Sequence, residues 1–192
     1  AASDVYKRQV CLNAALPGYA LCIVDSGADH ADLTAQYAAI PQDLKAVCRL
    51  FDAEVLRQVD EDAFYRRLPE VRRLAGDRAV LRAIHVFDEN RRVLAQVRAL
   101  ESGDVPGFLS LINASGASSW EYLQNIAPAG AAEHQALALC RRMLRGQGAV
   151  RVHGGGFAGT ALCIVLEEKL SAFCRELETY LAPGCCHRLQ IR

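Results

Sequence analysis

Hydrophobic positions in this 192-residue chain follow two different periods. Tyr19–Asp25 is an almost continuous apolar run behind Pro17-Gly18, as in a buried strand, and Asp25-Ser26-Gly27 supplies its terminating turn. A helix is predicted from about Asp32, its N-cap candidate, interrupted at Pro41 and resuming through Leu44, Val47, Cys48 and Phe51. Short helices follow over residues 62–68 and 69–74, with Pro69 where a first-turn proline is tolerated. Gly76-Asp77 marks a stop and a new cap. Over residues 78–100, Val80, Ile84, Phe87, Leu94, Val97 and Leu100 keep a 3.6-residue period and predict a long amphipathic helix. Asp104 caps a further helix through Phe108, Leu111 and Ile112, and residues 118–126 add a turn or two. Residues 131–145 read as a helix with basic residues in its last turn and glycines beyond it.

Period two then returns. Residues 149–152 and 161–166 are strand-like and bracket Arg151-Val152-His153-Gly154-Gly155-Gly156-Phe157-Ala158-Gly159-Thr160. Leu170, Phe173, Cys174, Leu177 and Leu181 mark one helical face, Pro183-Gly184 ends it, and residues 186–191 form a closing strand. Helices grouped between strands that pair over long distances predict an α+β layer fold. The strand–loop–strand–helix–strand end suits half of a ferredoxin-like unit, with helices packed on one face of an antiparallel sheet.

The glycine cluster is the candidate chemistry. Four glycines in six residues allow a backbone to approach a charged group and aim N–H groups at oxyanions. The same composition also makes an ordinary glycine-rich hairpin. Gly154, Gly156 and Gly159 satisfy G-x-G-x-x-G, but the dinucleotide fingerprint requires a helix at the loop, and a strand follows here. No Lys-Ser/Thr follows the glycines, which excludes a Walker A loop.

Composition adds mostly exclusions. The chain carries 22 basic and 22 acidic residues, so no global field favours nucleic acid or an anionic membrane. The six-residue run 19–24 cannot span a bilayer, and a cytoplasmic protein is expected. Of the eight cysteines, Cys22 and Cys163 fall in strand-like runs, while Cys48, Cys140 and Cys174 occupy apolar helical positions. They read as buried small hydrophobes. No CxxC occurs, and Cys185-Cys186-His187 lacks a matching second ligand pair, so no metal site is expected there. Residues 1–11 read as a disordered or non-native stub, and residues 12–192 as the folded domain. Asp25, Asp29, His30 and Asp32 could bind a hard cation, but they are also ordinary turn and cap residues. His153 could reach a phosphate or simply end a strand; His85 and Trp120 read as structural.

These residues carry a resemblance. Residues 150–159 resemble the third motif of the GHMP small-molecule kinases in its bacterial galactokinase form. The segments 25–34, 37–41, 78–85, 113–116 with Ser118-Ser119, and 122–125 are similar to segments of that subgroup. The likeness runs from about Gly18 to the end and corresponds to the C-terminal half of a galactokinase. It implies the GHMP C-terminal domain: a ferredoxin-like antiparallel sheet with helices packed on one face and an inserted helical segment.

It also implies ATP-dependent, Mg²⁺-assisted phosphorylation of galactose to galactose 1-phosphate. By resemblance, Gly154, Gly155, Gly156, Phe157 and Gly159 line the cofactor cleft, and Tyr37 contacts the sugar. Thr34-Ala35-Gln36 stands before Tyr37 in place of the commoner Ser-Ser-Glu. The family's sugar-recognition signature, its serine-rich phosphate loop, its catalytic arginine and its aspartate base have no counterpart here. No catalytic residue is therefore assigned, the N-terminal half of the enzyme is the expected partner, and the chain alone is expected to be inactive. The last few residues of the family pattern also look clipped after Arg192. A sugar- or nucleotide-sensing homologue and a kinase for another small alcohol are the competing expectations.

Overall fold

A computed structural model describes residues 12–28, 33–126 and 132–189. After a short helix α1 (Leu12–Ala15), strand β1 (Tyr19–Asp25) leads into five helices: α2 (Thr34–Arg49), α3 (Glu61–Arg66), α4 (Leu68–Ala75), α5 (Asp77–Ser102) and α6 (Val105–Ser118). A π-helical turn, Ser119–Leu123, and helix α7 (Ala132–Leu144) then return the chain to the sheet. It closes with β2 (Ala149–Val152), β3 (Thr160–Leu166), α8 (Glu167–Tyr180) and β4 (Cys186–Arg188).

The strands form one antiparallel sheet in the order β2-β3-β1-β4. With α7 before β2 and α8 before β4, this is the expected ferredoxin-like arrangement, and α2–α6 constitute the inserted helical segment. Period two decides which residues face which layer. In β3, Cys163 and Val165 turn towards α7 and α8, where they join Cys22, Val24, Leu137, Cys140, Phe173 and Leu177 in one buried cluster. Ile164 turns the other way and packs with Ala149, Ala99, Phe108, Leu109 and Ile112, so the insert reaches the opposite face of the sheet. A third cluster lies within the insert, around Val47, Phe64, Val71, Val80 and Phe87.

β2 is an edge strand, and its free edge is covered rather than left to solvent. The Asn113 side chain donates to the Gly148 carbonyl and accepts from the Val150 N–H, both at 3.0 Å. Gly116 permits this approach, since a Cβ there would lie 2.6 Å from the Val150 carbonyl oxygen. Glu89 of α5 reinforces the junction: it accepts from Ser115 Oγ at 2.6 Å and pairs with Arg151 of β2 at 3.6 Å.

Local signals were obeyed with two adjustments. Asp104 does cap α6, accepting from the Gly107 N–H at 2.9 Å. Pro41, expected to interrupt a helix, instead lies inside a continuous α2. It sits on the exposed side, where water can reach the Tyr37 carbonyl that loses its partner four residues earlier. The closing strand ends at Arg188, with the Leu189 N–H continuing onto the Leu21 carbonyl at 2.9 Å. Residues 1–11, the expected stub, and Asp32, the expected cap, lie outside the described residues.

His85 on α5 is buried, its Nδ1 2.8 Å from Ser118 Oγ. Burial holds its imidazole below the usual histidine range. The unfolded chain therefore takes up this proton first as the pH falls. The corresponding stability is complete above the unfolded value of about 6.5 and declines from there towards the lower folded value. Urea-unfolding free energies should accordingly fall as the pH drops from about 7.5 to 5.5. His85→Gln should flatten that slope, and an unchanged slope would remove His85 from the account.

Candidate functional site

The bend between β2 and β3 is the chemically distinctive element. It continues the hairpin through a bond from the His153 N–H to the Thr160 carbonyl at 2.9 Å, then leaves regular geometry. Gly156 and Phe157 both take the left-handed region, with φ of 85° and 57°. For a bulky residue such as Phe157 this is strained backbone, which persists only where the surroundings hold it. Here they do. The Phe157 ring is buried, and its N–H donates to the Asn125 carbonyl at 2.8 Å.

Asn125 is the clamp. Its Nδ2 donates to the Gly155 carbonyl at 3.1 Å, so one residue satisfies both a donor and an acceptor of the bend. The contact leaves no room for a side chain on Gly156, whose Cβ would lie 2.6 Å from Asn125 Nδ2 and would collide with the Asn125 carbonyl. Asn125 is itself placed through the insert. Arg82 on α5 donates through Nε to the Leu123 carbonyl at 3.0 Å and through Nη1 to Asp43 on α2 at 2.7 Å. Burial alone would raise the Asp43 carboxyl, but hydrogen bonds and charge from Arg78 and Arg82 outweigh it and hold the group below its ordinary range.

Facing the bend is the first turn of α2. Tyr37 meets Phe157 edge-on, with ring centroids 6.2 Å apart and planes at 63°. Leu33, Thr34, Tyr37, Ala38, Gly156, Phe157 and Ala158 line an open groove of about 470 Å³. Tyr37 remains 54% exposed beside it. A Cβ on Gly155 would press against the Tyr37 hydroxyl, so Gly155 borders the same space.

Of the residues singled out from the sequence, Tyr37, Gly155, Gly156 and Phe157 therefore come together. Gly154 is exposed at the tip of the bend and Gly159 is buried at the start of β3; neither lines the groove. The Gly159 carbonyl accepts from the Ser26 N–H at 2.9 Å, which ties the bend to the end of β1. Asp25 makes the turn that its residue type suggests, its Oδ1 accepting from the Gly27 N–H at 2.9 Å. Asp29, His30 and Asp32 lie outside the described residues. His153 is exposed, and Trp120 packs edge-on against His134 at 4.6 Å with the Arg141 guanidinium 5.8 Å from its ring centre. Cys186 and His187 alternate sides of β4, so Cys185-Cys186-His187 is not one ligand set. The residue that sequence reasoning missed as a site residue is Asn125. It entered the sequence reading only as the last residue of the segment 122–125 that carries part of the resemblance.

Asn125→Ala should remove the side-chain bond to the Gly155 carbonyl and leave the backbone bond from the Phe157 N–H to the residue 125 carbonyl as the one remaining tie to the bend. The expected cost is about 0.5–1.5 kcal/mol, read from urea unfolding, with faster amide exchange at Phe157 as the bend loosens around its one remaining bond. Unchanged exchange at Phe157 would show that the bend holds itself.

No family model matches the chain. Among curated proteins, it is 31% identical over 156 residues to a galactokinase of Glaesserella parasuis serovar 5 (strain SH0165), covering 81% of this chain and 39% of that one. It is 30% identical over 154 residues to a galactokinase of Actinobacillus pleuropneumoniae, covering 80% and 39%. The chain thus spans about two fifths of the length of the curated relatives it matches. Its fold is similar to that of a Lactococcus lactis galactokinase solved in complex with galactose. That likeness has a TM-score of 0.73 at 18% identity and covers 91% of this chain and 45% of that one. With a similar fold and about 30% identity across four fifths of its residues, the chain is a homologue of the C-terminal part of galactokinases.

Proposed function

We propose that this chain supplies one wall of a galactokinase-type active site, in which the γ-phosphoryl group of ATP passes to galactose with the help of Mg²⁺. The observation that carries this reading is the position of the bend. Gly156 and Phe157 face an open groove together with Tyr37, rather than a convex exterior. Gly154, Gly155, Gly156, Phe157 and Gly159 form the cofactor side, with Gly155, Gly156 and Phe157 at the groove and Gly154 and Gly159 shaping the bend. Tyr37 forms the sugar side.

Phosphoryl transfer is mostly a matter of positioning and charge stabilisation, and the glycine run 154–156 supports it by letting other groups pack against bare peptide. The residues that polarise the sugar hydroxyl and cradle the triphosphate belong, in this reading, to the region corresponding to the rest of the relatives' length. The exposed, largely apolar groove suits closure by that region. A cytoplasmic location accompanies the proposal. Among the described residues, no helix is long and apolar enough to cross a membrane.

The test joins this chain to a galactokinase N-terminal region and measures ATP-dependent phosphorylation of galactose against other hexoses. Galactose should be preferred. Gly156→Ala should lower kcat/KM by about 100-fold, the scale of a misplaced reacting group. Tyr37→Phe should raise KM by about tenfold, the scale of one lost hydrogen bond, with kcat little changed. Galactose and ATP binding without turnover would favour a sensing homologue, and turnover of another alcohol would replace the substrate.

A further inference from the structure

The fold gathers thiols that the sequence keeps far apart. Cys22 on β1, Cys174 on α8 and Cys186 on β4 bring their three Sγ atoms within 4.8 Å of one another. Strand register explains two of them. Cys186 lies opposite Val24, and Cys22 is two residues from Val24 on the same face of the sheet. α8 crosses that face and delivers the third. Cys185, whose Sγ is 3.9 Å from that of Cys186, stands beside the group.

From this geometry we propose that Cys22, Cys174 and Cys186 form a three-thiolate site for a zinc ion. Thiolates at the usual Zn–S length of about 2.3 Å lie about 3.8 Å apart around a tetrahedral ion, so closing the site requires about 1 Å of adjustment. All three donors are sulfur and no carboxylate among the described residues joins them, which selects a thiophilic cation over a hard one such as Mg²⁺. On binding, each S–H gives up its proton to solvent as its sulfur ligates the ion, and three protein ligands leave a fourth position for water or the Cys185 thiol.

The site has a structural consequence. β4 has only three residues and is an edge strand held to β1, and α8 packs over both. One ion ligated by β1, α8 and β4 would clip the end of the chain to the centre of the sheet. The site lies on the α7/α8 face of the sheet and shares none of its residues with the groove beside Tyr37, so its presence or absence leaves the functional reading above intact.

The full chain, reduced and freed of metal, is titrated with Zn²⁺ and, as an optical probe, Co²⁺. One equivalent should bind, with a sulfur-to-cobalt charge-transfer band, and Cys174→Ser should weaken binding at least tenfold. Cys48→Ser, in the separate cluster of the insert, should leave it unchanged. In the wild-type chain, one equivalent of Zn²⁺ should also protect Cys174 and Cys186 from alkylation, read peptide by peptide by mass spectrometry. This keeps the test decisive even where Cys174→Ser does not fold. Equal labelling with and without zinc, absence of the band, or full binding by folded Cys174→Ser would overturn the proposal.

Discussion

Two hydrogen bonds from Asn125 to the β2–β3 bend, one through its side-chain amide and one through its backbone carbonyl, are the constraint on which the site depends. Beyond the bond from the His153 N–H to the Thr160 carbonyl, this bend leaves hairpin pairing, and its Phe157 N–H and Gly155 carbonyl find their partner elsewhere in the fold. Left without a partner, buried groups cost about 1–3 kcal/mol each. Asn125 is that partner, and its closeness requires that Gly156 carry no side chain. The strained Phe157 is then held at both ends, by its N–H on Asn125 and by its ring against the protein interior. Glycine here is less a source of flexibility than the condition for a rigid clamp.

The clamp makes the helical insert part of the site. Asn125 follows a π-helical turn whose Leu123 carbonyl is held by the buried Arg82, and Arg82 is fixed by Asp43 on another helix. A single exposed ion pair would contribute little. Arg82 differs because its side chain is almost wholly buried and its guanidinium bonds both a carboxylate and a backbone carbonyl. The insert also meets the sheet directly, through Asn113 on the edge of β2 and Glu89 on Ser115 and Arg151. Both ends of the bend are consequently referenced to one scaffold: β2 through α6, and the bend itself through Asn125.

Much of this was legible in the sequence wherever the signal was local. The 3.6-residue period of α5, the apolar blocks of β1 and β3, and the Asp104 cap each rest on neighbours along the chain, and the structure follows them. Pro41 misled because a proline's cost depends on whether the orphaned carbonyl faces water, which the pattern around residue 41 did not reveal. Asn125 was illegible for a different reason: a short polar residue after a helical turn is common, and its partners lie 30 residues ahead. The cysteines illustrate the same limit. Cys22 and Cys174 read as small apolar residues within their own elements, but only the fold brings them to one place with Cys186.

The groove combines walls of unlike stiffness, and this follows from what builds each. On one side Gly156 and Phe157 are fixed by main-chain bonds and burial. On the other, Tyr37 rises from the exposed first turn of α2, more than half of its surface open and an edge contact to Phe157 holding its ring. Immobilising such a side chain on ligand binding costs about 0.5–1.5 kcal/mol, whereas the bend has met its ordering cost during folding. The two walls thus differ in what holds them: main-chain bonds and burial on one side, an edge contact between rings on the other.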